Sequence, residues 1–196
     1  AVNWGSEALG LYKDIDELQK WSVQWVEQLR DREFSHSLFF VPSLGGIGAP
    51  YWNPEARSLF MGMSYDTTKE DMARAILEGI AHRVADVMEE MENTSGIPLT
   101  SLKVDGGLTN NPYLMQFQAD ILGIPVEVPE ISETTAIGVA YLLGEACGWW
   151  SEEVLRERLK ITRRYEPQMD TGTRQDLRVL WRRVVEMVDR FYCEKN

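Results

Sequence analysis

The sequence predicts an α/β domain, and three observations carry that expectation. Short apolar runs bounded by turn residues alternate with long stretches of helical period. One run, Leu102 to Val104, passes through Asp105 and two glycines directly into a helix start at Asn111 and Pro112. No linker, repeat or low-complexity segment interrupts the 196 residues, which suffice for one domain with a sizeable core. A single domain over residues 1–196 is therefore expected.

The elements follow in order. The opening AVNWGSEALGLYKD has no initiator methionine and reads as packed structure from its first residues, the expectation for a piece of a longer protein. Ile15, Leu18, Ser22, Trp25, Val26 and Leu29 recur at three- and four-residue steps and predict an amphipathic helix over Asp14–Leu29. SLFFVPS predicts a short buried strand stopped by Pro42, and SLFMGMS a second strand. Between them SLGGIGAPYWNPEAR is too rich in Gly and Pro to be regular. Thr67 and Glu70 have capping-box spacing, and from Lys69 a long helix carries Met72, Ile76, Ile80, Val84, Val87, Met88 and Met91 until NTSG ends it.

A strand at Leu102–Val104, a helix over Pro112–Leu122 closed by Gly123, and a strand at Val126–Val128 come next. PEISETT leads to the helix TAIGVAYLLGEAC, whose Ala136, Gly138, Ala140 and Gly144 suit close packing against another helix. Ser151, Glu152 and Glu153 open a short helix that Arg156, Arg158 and Lys160 close, complementing its dipole at both ends. The last helix places Leu177, Leu180, Trp181, Val184, Val188 and Phe191 on one face.

Composition excludes several classes of function. The formal net charge of −11 argues against binding nucleic acid or docking on an anionic membrane, both of which use a basic face. Cys147 and Cys193 are too few for a disulfide framework, so a reducing cytoplasm is expected. His36 and His82 lack the spacing of a metal site and read as structural or surface residues. No signal peptide is evident, and no run of about 18 apolar residues could span a bilayer.

The glycine pair admits two readings. Glycines between a strand's carboxyl end and a helix start let a flat ligand reach the backbone without meeting a Cβ. Ordinary strand–turn–helix connections use the same pair, and the residues alone leave both readings open. Asn111 with Pro112 makes a good N-cap and N1 pair, while its amide also suits an edge of a base or ribose. Neither GxGxxG nor GxxxxGK[ST] is present, so no Rossmann fingerprint and no Walker lysine apply.

Three segments resemble the C-terminal domain of the FGGY carbohydrate kinases. GIGAPYWNPEARSLFMGM is similar to the family's GxGAPYW-DP-AR segment. SLFMGMSYDTTKEDMARAILE, Ser58 to Glu78, fits its second signature. GIPLTSLKVDGGLTNNPYLMQFQADILGIPVEVPEISETTAIGVAYLLGEACGWW resembles the adenosine motif and the interdomain helix after it. The resemblance implies a ribonuclease H-like (actin-like ATPase) fold with a mixed sheet and flanking helices. It implies the nucleotide-binding lobe of a kinase whose N-terminal lobe is absent from this chain. Within the family the likeness is greatest to members that phosphorylate glycerol.

What the resemblance implies for individual residues is specific. Gly106, Gly107 and Leu108 fall against the adenosine of ATP, Asn111 on the asparagine used at the base or ribose, and Gly5 on a glycine near the nucleotide. Leu9 stands where glycerol-phosphorylating members often have a glutamine. The whole enzyme would move the γ-phosphoryl group of ATP, with Mg²⁺, to a hydroxyl of glycerol or a related polyol or sugar. The family's general-base Asp, phosphate-binding hairpins and polyol-binding side chains lie upstream of this chain, which alone should be inactive and holds no catalytic or metal-binding residue. Asp105 reads first as a turn or cap residue and Glu133 as a helix N-terminal carboxylate; the aromatics of APYW, with Trp149 and Trp150, read as packing anchors. The helix from Thr135 to Cys147 should pack on the missing lobe, and without it the chain should self-associate into homo-oligomers. Two alternatives stand beside this reading: an FGGY kinase for a pentulose, hexulose or gluconate, and a non-catalytic actin-like module that binds nucleotide or serves assembly.

Overall fold

A computed structural model of the chain describes residues 1–31, 37–130, 134–149 and 160–193. Its longest helix, α3 (Lys69–Ser95), packs on the buried strand at Phe39–Val41. Before it come α1 (Val2–Glu7), α2 (Ile15–Asp31), β1 (Phe39–Val41) and β2 (Leu59–Met61). After it come β3 (Leu102–Lys103), a 3₁₀ turn at Gly107–Asn110, α4 (Pro112–Leu122), β4 (Val126–Pro129), α5 (Thr134–Ala146), β5 (Ile161–Tyr165) and α6 (Thr171–Cys193).

β1 and β2 pair antiparallel, with Phe40 opposite Phe60. A second sheet has the order β3-β4-β5 and is mixed: β3 runs parallel to β4, and β5 antiparallel to it. The parallel pair needs a crossover, which the 3₁₀ turn and α4 supply. β5 was not anticipated from the sequence. Its ITRRY pattern is mostly exposed, and its place comes from pairing with β4, Val126 opposite Tyr165.

The close approach of α3 to β1 depends on Gly79, where an added Cβ would stand 2.1 Å from the carbonyl oxygen of Phe40. The cap of α3 lies one residue later than the sequence suggests. Thr67 Oγ1 accepts from the Ser64 amide at 2.8 Å and closes the preceding turn. Thr68 is therefore the N-cap, exchanging bonds with Asp71 in both directions, and Gly96 ends the helix at φ 68°.

The buried face of α3 also differs from the expected one. Arg74, Glu78, His82 and Asp86, four residues apart, are all buried, along with Ala73, Ile76, Leu77, Ala81 and Ala85. Met72, Ile80, Val84, Val87 and Met88 are only half-buried, and Met91 is exposed. The polar line survives burial because each member is paired. Arg74 reaches Glu78 at 3.5 Å, and the hydroxyl of Tyr113 donates to the same carboxylate. His82 stacks on Trp181 with ring centres 4.7 Å apart. Asp86 accepts from Arg178 at 2.7 Å, from Arg83 at 2.7 Å and from Trp181 Nε1 at 3.0 Å. These bonds clamp α6 to α3 through Arg178 and Trp181.

On α6, Leu177, Trp181, Val184 and Val188 are buried as expected, whereas Leu180 and Phe191 are exposed. α5 departs further. Val139, Leu142 and Leu143 are exposed, and a Cβ on Gly138 would meet no atom within 4 Å. Among the described residues, nothing packs closely on that small position. Trp149 is also exposed. Of the APYW aromatics, Tyr51 packs against the core beneath Arg83, whereas Trp52 is exposed. The expected helix after Gly148, with Trp150, Glu133 and His36, lies outside the described residues. Among the described residues no helix is long and apolar enough to cross a membrane.

Candidate functional site

The turn after β3 is built by its first residues. Gly106 takes φ 92°, a conformation in which a side chain is strained, and its carbonyl accepts from both the amide and the hydroxyl of Thr109 at 3.1 and 2.8 Å. The Asn111 amide then bonds Leu108 O at 3.0 Å, closing a tight 3₁₀ turn. A Cβ at Gly106 or at Gly107 would meet nothing within 4 Å. The bare backbone of both residues thus faces open space, and no packed neighbour accounts for the absence of side chains. Gly107 has no left-handed φ to explain it either.

Asn111 is buried and fully engaged in the fold. Its Oδ1 caps α4 by accepting from the Leu114 amide at 2.9 Å. Its Nδ2 donates to Ser22 Oγ at 2.6 Å, and that hydroxyl donates in turn to Leu18 O. This bond ties the start of α4 to the middle of α2 and so fixes the distance between α2 and the glycine turn.

Between those two elements lies a cavity of about 650 Å³, within the range of small-molecule sites. The turn contributes Gly107, Leu108, Asn110 and Asn111; α2 contributes Ile15, Asp16 and Gln19; α1 contributes Val2 and Asn3. Ile15 and Leu108 are exposed aliphatics on its walls, suited to the faces of a flat ring. Asp105 is exposed at the end of the strand but is not among the cavity's lining residues.

Gly107, Leu108 and Asn111 are therefore brought together, with Gly106 shaping the turn. Gly5 is not with them. It is buried in α1, where a Cβ would press to 3.0 Å on Ile76 Cδ1 and on the Tyr12 hydroxyl, so its small size serves packing. Tyr12 in turn donates to Val2 O, and burial pushes its phenol up to about 12, which keeps it a donor. Asn3, Ile15, Asp16 and Gln19 were missed by sequence reasoning. Apolar periodicity places Ile15 on the buried face of α2, whereas it is exposed, and the polar three sit on exposed or half-exposed positions that no local pattern singles out.

Among the described residues no group of three His, Cys, Asp or Glu side chains converges as a metal site would. Cys147 and Cys193 are free thiols, and buried His82 is occupied by Trp181 and Arg178.

The fold belongs to the ribonuclease H-like class found in actin-like ATPases and sugar kinases. It superposes on a glycerol kinase of Plasmodium falciparum in complex with ADP with a TM-score of 0.82 at 29% identity, covering 95% of this chain and 36% of that one. A xylulose kinase of Lactobacillus acidophilus shares the fold at a TM-score of 0.78 and 21% identity, over 100% of this chain and 39% of that one. The model of the FGGY family of carbohydrate kinases, C-terminal domain, matches residues 3–147, and the chain belongs to that family. Curated relatives include glycerol kinases of Pseudothermotoga lettingae, 45% identical over 84% of this chain, and Bacillus licheniformis, 39% identical over 97%. The chain spans 36% and 37% of their respective lengths.

Proposed function

We propose that this chain is the nucleotide-binding lobe of an ATP-dependent polyol kinase that phosphorylates glycerol or a close relative. The observation that carries the reading is the cavity between α2 and the glycine turn, into which Gly107 brings bare backbone with open space at its Cβ position. Its residues suit adenosine. Gly107 admits the ring to the backbone, and Ile15 and Leu108 offer apolar contact to its faces. Asn111 acts mainly by holding the turn against α2, since both ends of its amide are already bonded within the fold. The identities of 39–45% to glycerol kinases favour glycerol over other acceptors.

The lobe's own part in the reaction is to hold and orient the nucleotide, and the longer relatives leave room for the acceptor site and general base in the rest of the protein. Closure of two lobes would exclude water, the competing acceptor. Mg²⁺ accompanies ATP in phosphoryl transfer, but the described side chains do not form a site for it.

The reading is tested on the purified chain. With most phosphate contacts supplied elsewhere, ATP, ADP and adenosine should bind alike, near about 1 mM or about 4 kcal/mol. A coupled assay with ATP, Mg²⁺ and glycerol should show no turnover above the blank. Absence of nucleoside binding, or turnover by the pure chain, would overturn it.

A further inference from the structure

We propose that Gln19 reads the exocyclic edge of the purine and makes the cavity select adenine over guanine and hypoxanthine, an inference that rests on the nucleotide reading above. Gln19 lies on the α2 wall of the cavity that Gly107 and Leu108 also line. Its Nε2 donates to the backbone carbonyl of Asn110. That bond settles which way the amide faces, because the opposite orientation would set two acceptors against each other. With one N–H of the nitrogen held on the turn, Oε1 is the amide's acceptor on this wall of the cavity.

An acceptor at this point discriminates between purines. Adenine presents an N6 amino group, a donor, whereas guanine and hypoxanthine present O6, an acceptor. The first makes a hydrogen bond where it stands; the second sets two oxygens together unless the ring shifts by one atom to bring its N1–H donor to Oε1, and that shift is what the cavity walls at Leu108 and Ile15 oppose. Asp16 lines the same wall three residues earlier, and its carboxylate strengthens the preference for a donor. It also disfavours a phosphate there, so the base end of the nucleotide faces α2. Asn111 is the poorer reader, since its amide already bonds Leu114 and Ser22.

NMR titration of the chain with adenosine and with inosine, using wild type, Gln19→Lys and Gln19→Leu, tests the assignment. Lysine keeps a donor for the Asn110 carbonyl but removes the acceptor; leucine removes both, and each variant is checked for a dispersed, folded amide spectrum. Wild type should bind adenosine at least about tenfold more tightly than inosine. Gln19→Lys should bring the ratio to unity or invert it, and Gln19→Leu should weaken adenosine while sparing inosine. Equal binding of the two nucleosides by wild type would overturn the role of Gln19, as would a preference that survives in the folded variants. Shifts persisting at Gly107 and Leu108 would in either case leave the nucleotide site standing. Titrations that never perturb the turn would overturn both.

Discussion

Gly107→Val separates a ligand role for the second glycine from a structural one. An ideal Cβ at this position meets no atom within 4 Å, and the backbone is not left-handed, so the folded chain accommodates the branched side chain. The remaining cost is β-branched stiffness in a short turn, below about 0.7 kcal/mol. The isopropyl group would occupy the cavity beside Leu108, where the purine is proposed to lie. Displacing the ring should weaken ADP binding at least tenfold, about 1.4 kcal/mol, raising a dissociation constant near about 1 mM beyond about 10 mM. Gly106→Val is the contrasting variant. At φ 92° and ψ 174° a side chain is strained by about 1–3 kcal/mol, a loss of about 2–12 °C in melting temperature for a chain of this size. ADP titration followed by NMR, with thermal melting of the same samples, gives both readouts. A folded Gly107→Val protein that binds ADP as wild type does would show that the ring does not lie against Gly107. A Gly107→Val protein that melts as low as Gly106→Val would show that the turn does not accommodate the side chain.

Four further outcomes follow from the packing. Gly79→Ala should destabilise by about 1–3 kcal/mol or more in urea unfolding, because its methyl group would meet the Phe40 carbonyl at 2.1 Å. Asp86→Ala should cost about 3–5 kcal/mol in the same measurement, since it leaves the buried Arg178 guanidinium and the Trp181 indole without their shared acceptor. Burial alone would raise the Glu89 carboxyl, but the Arg178 and Arg182 guanidiniums outweigh it and hold the group below the ordinary glutamate value. Its contribution to stability is therefore present above about pH 4.3 and lost as pH falls through the lower folded value. Glu89→Gln should accordingly flatten the acid limb of a urea-midpoint profile, and an unchanged slope would count against the pairing. Val139, Leu142 and Leu143 on α5 should drive concentration-dependent self-association in light scattering, reduced by Leu142→Glu; a strict monomer at high concentration would contradict this.

Local signals were the legible ones. Asn111, Pro112 and Gly123 mark α4 from end to end because a cap, a fixed φ and a left-handed terminus act within a few residues. The buried face of α3 was not legible. Apolar periodicity points to Met72, Ile80 and Val84, but burial favours Arg74, Glu78, His82 and Asp86, whose partners Tyr113, Arg178 and Trp181 lie far along the chain. β5 escaped notice because Arg163 and Arg164 break its apolar pattern, and pairing with β4 decides its state. At the cavity, the glycine turn is visible in the sequence as a turn with bare backbone. The α2 wall is not, since Asp16 and Gln19 acquire a role only when the Asn111–Ser22 bond sets α2 beside that turn.

Occupancy of the space between the glycine turn and α2 by an adenine nucleoside can be read residue by residue. Titrating the isotope-labelled chain with adenosine, which carries no phosphates to bind elsewhere, tests it most directly. Amide shifts should concentrate at residues 104–112, with matching shifts at residues 15–19 across the cavity. Shifts scattered over other surfaces, or none at millimolar adenosine, would contradict it.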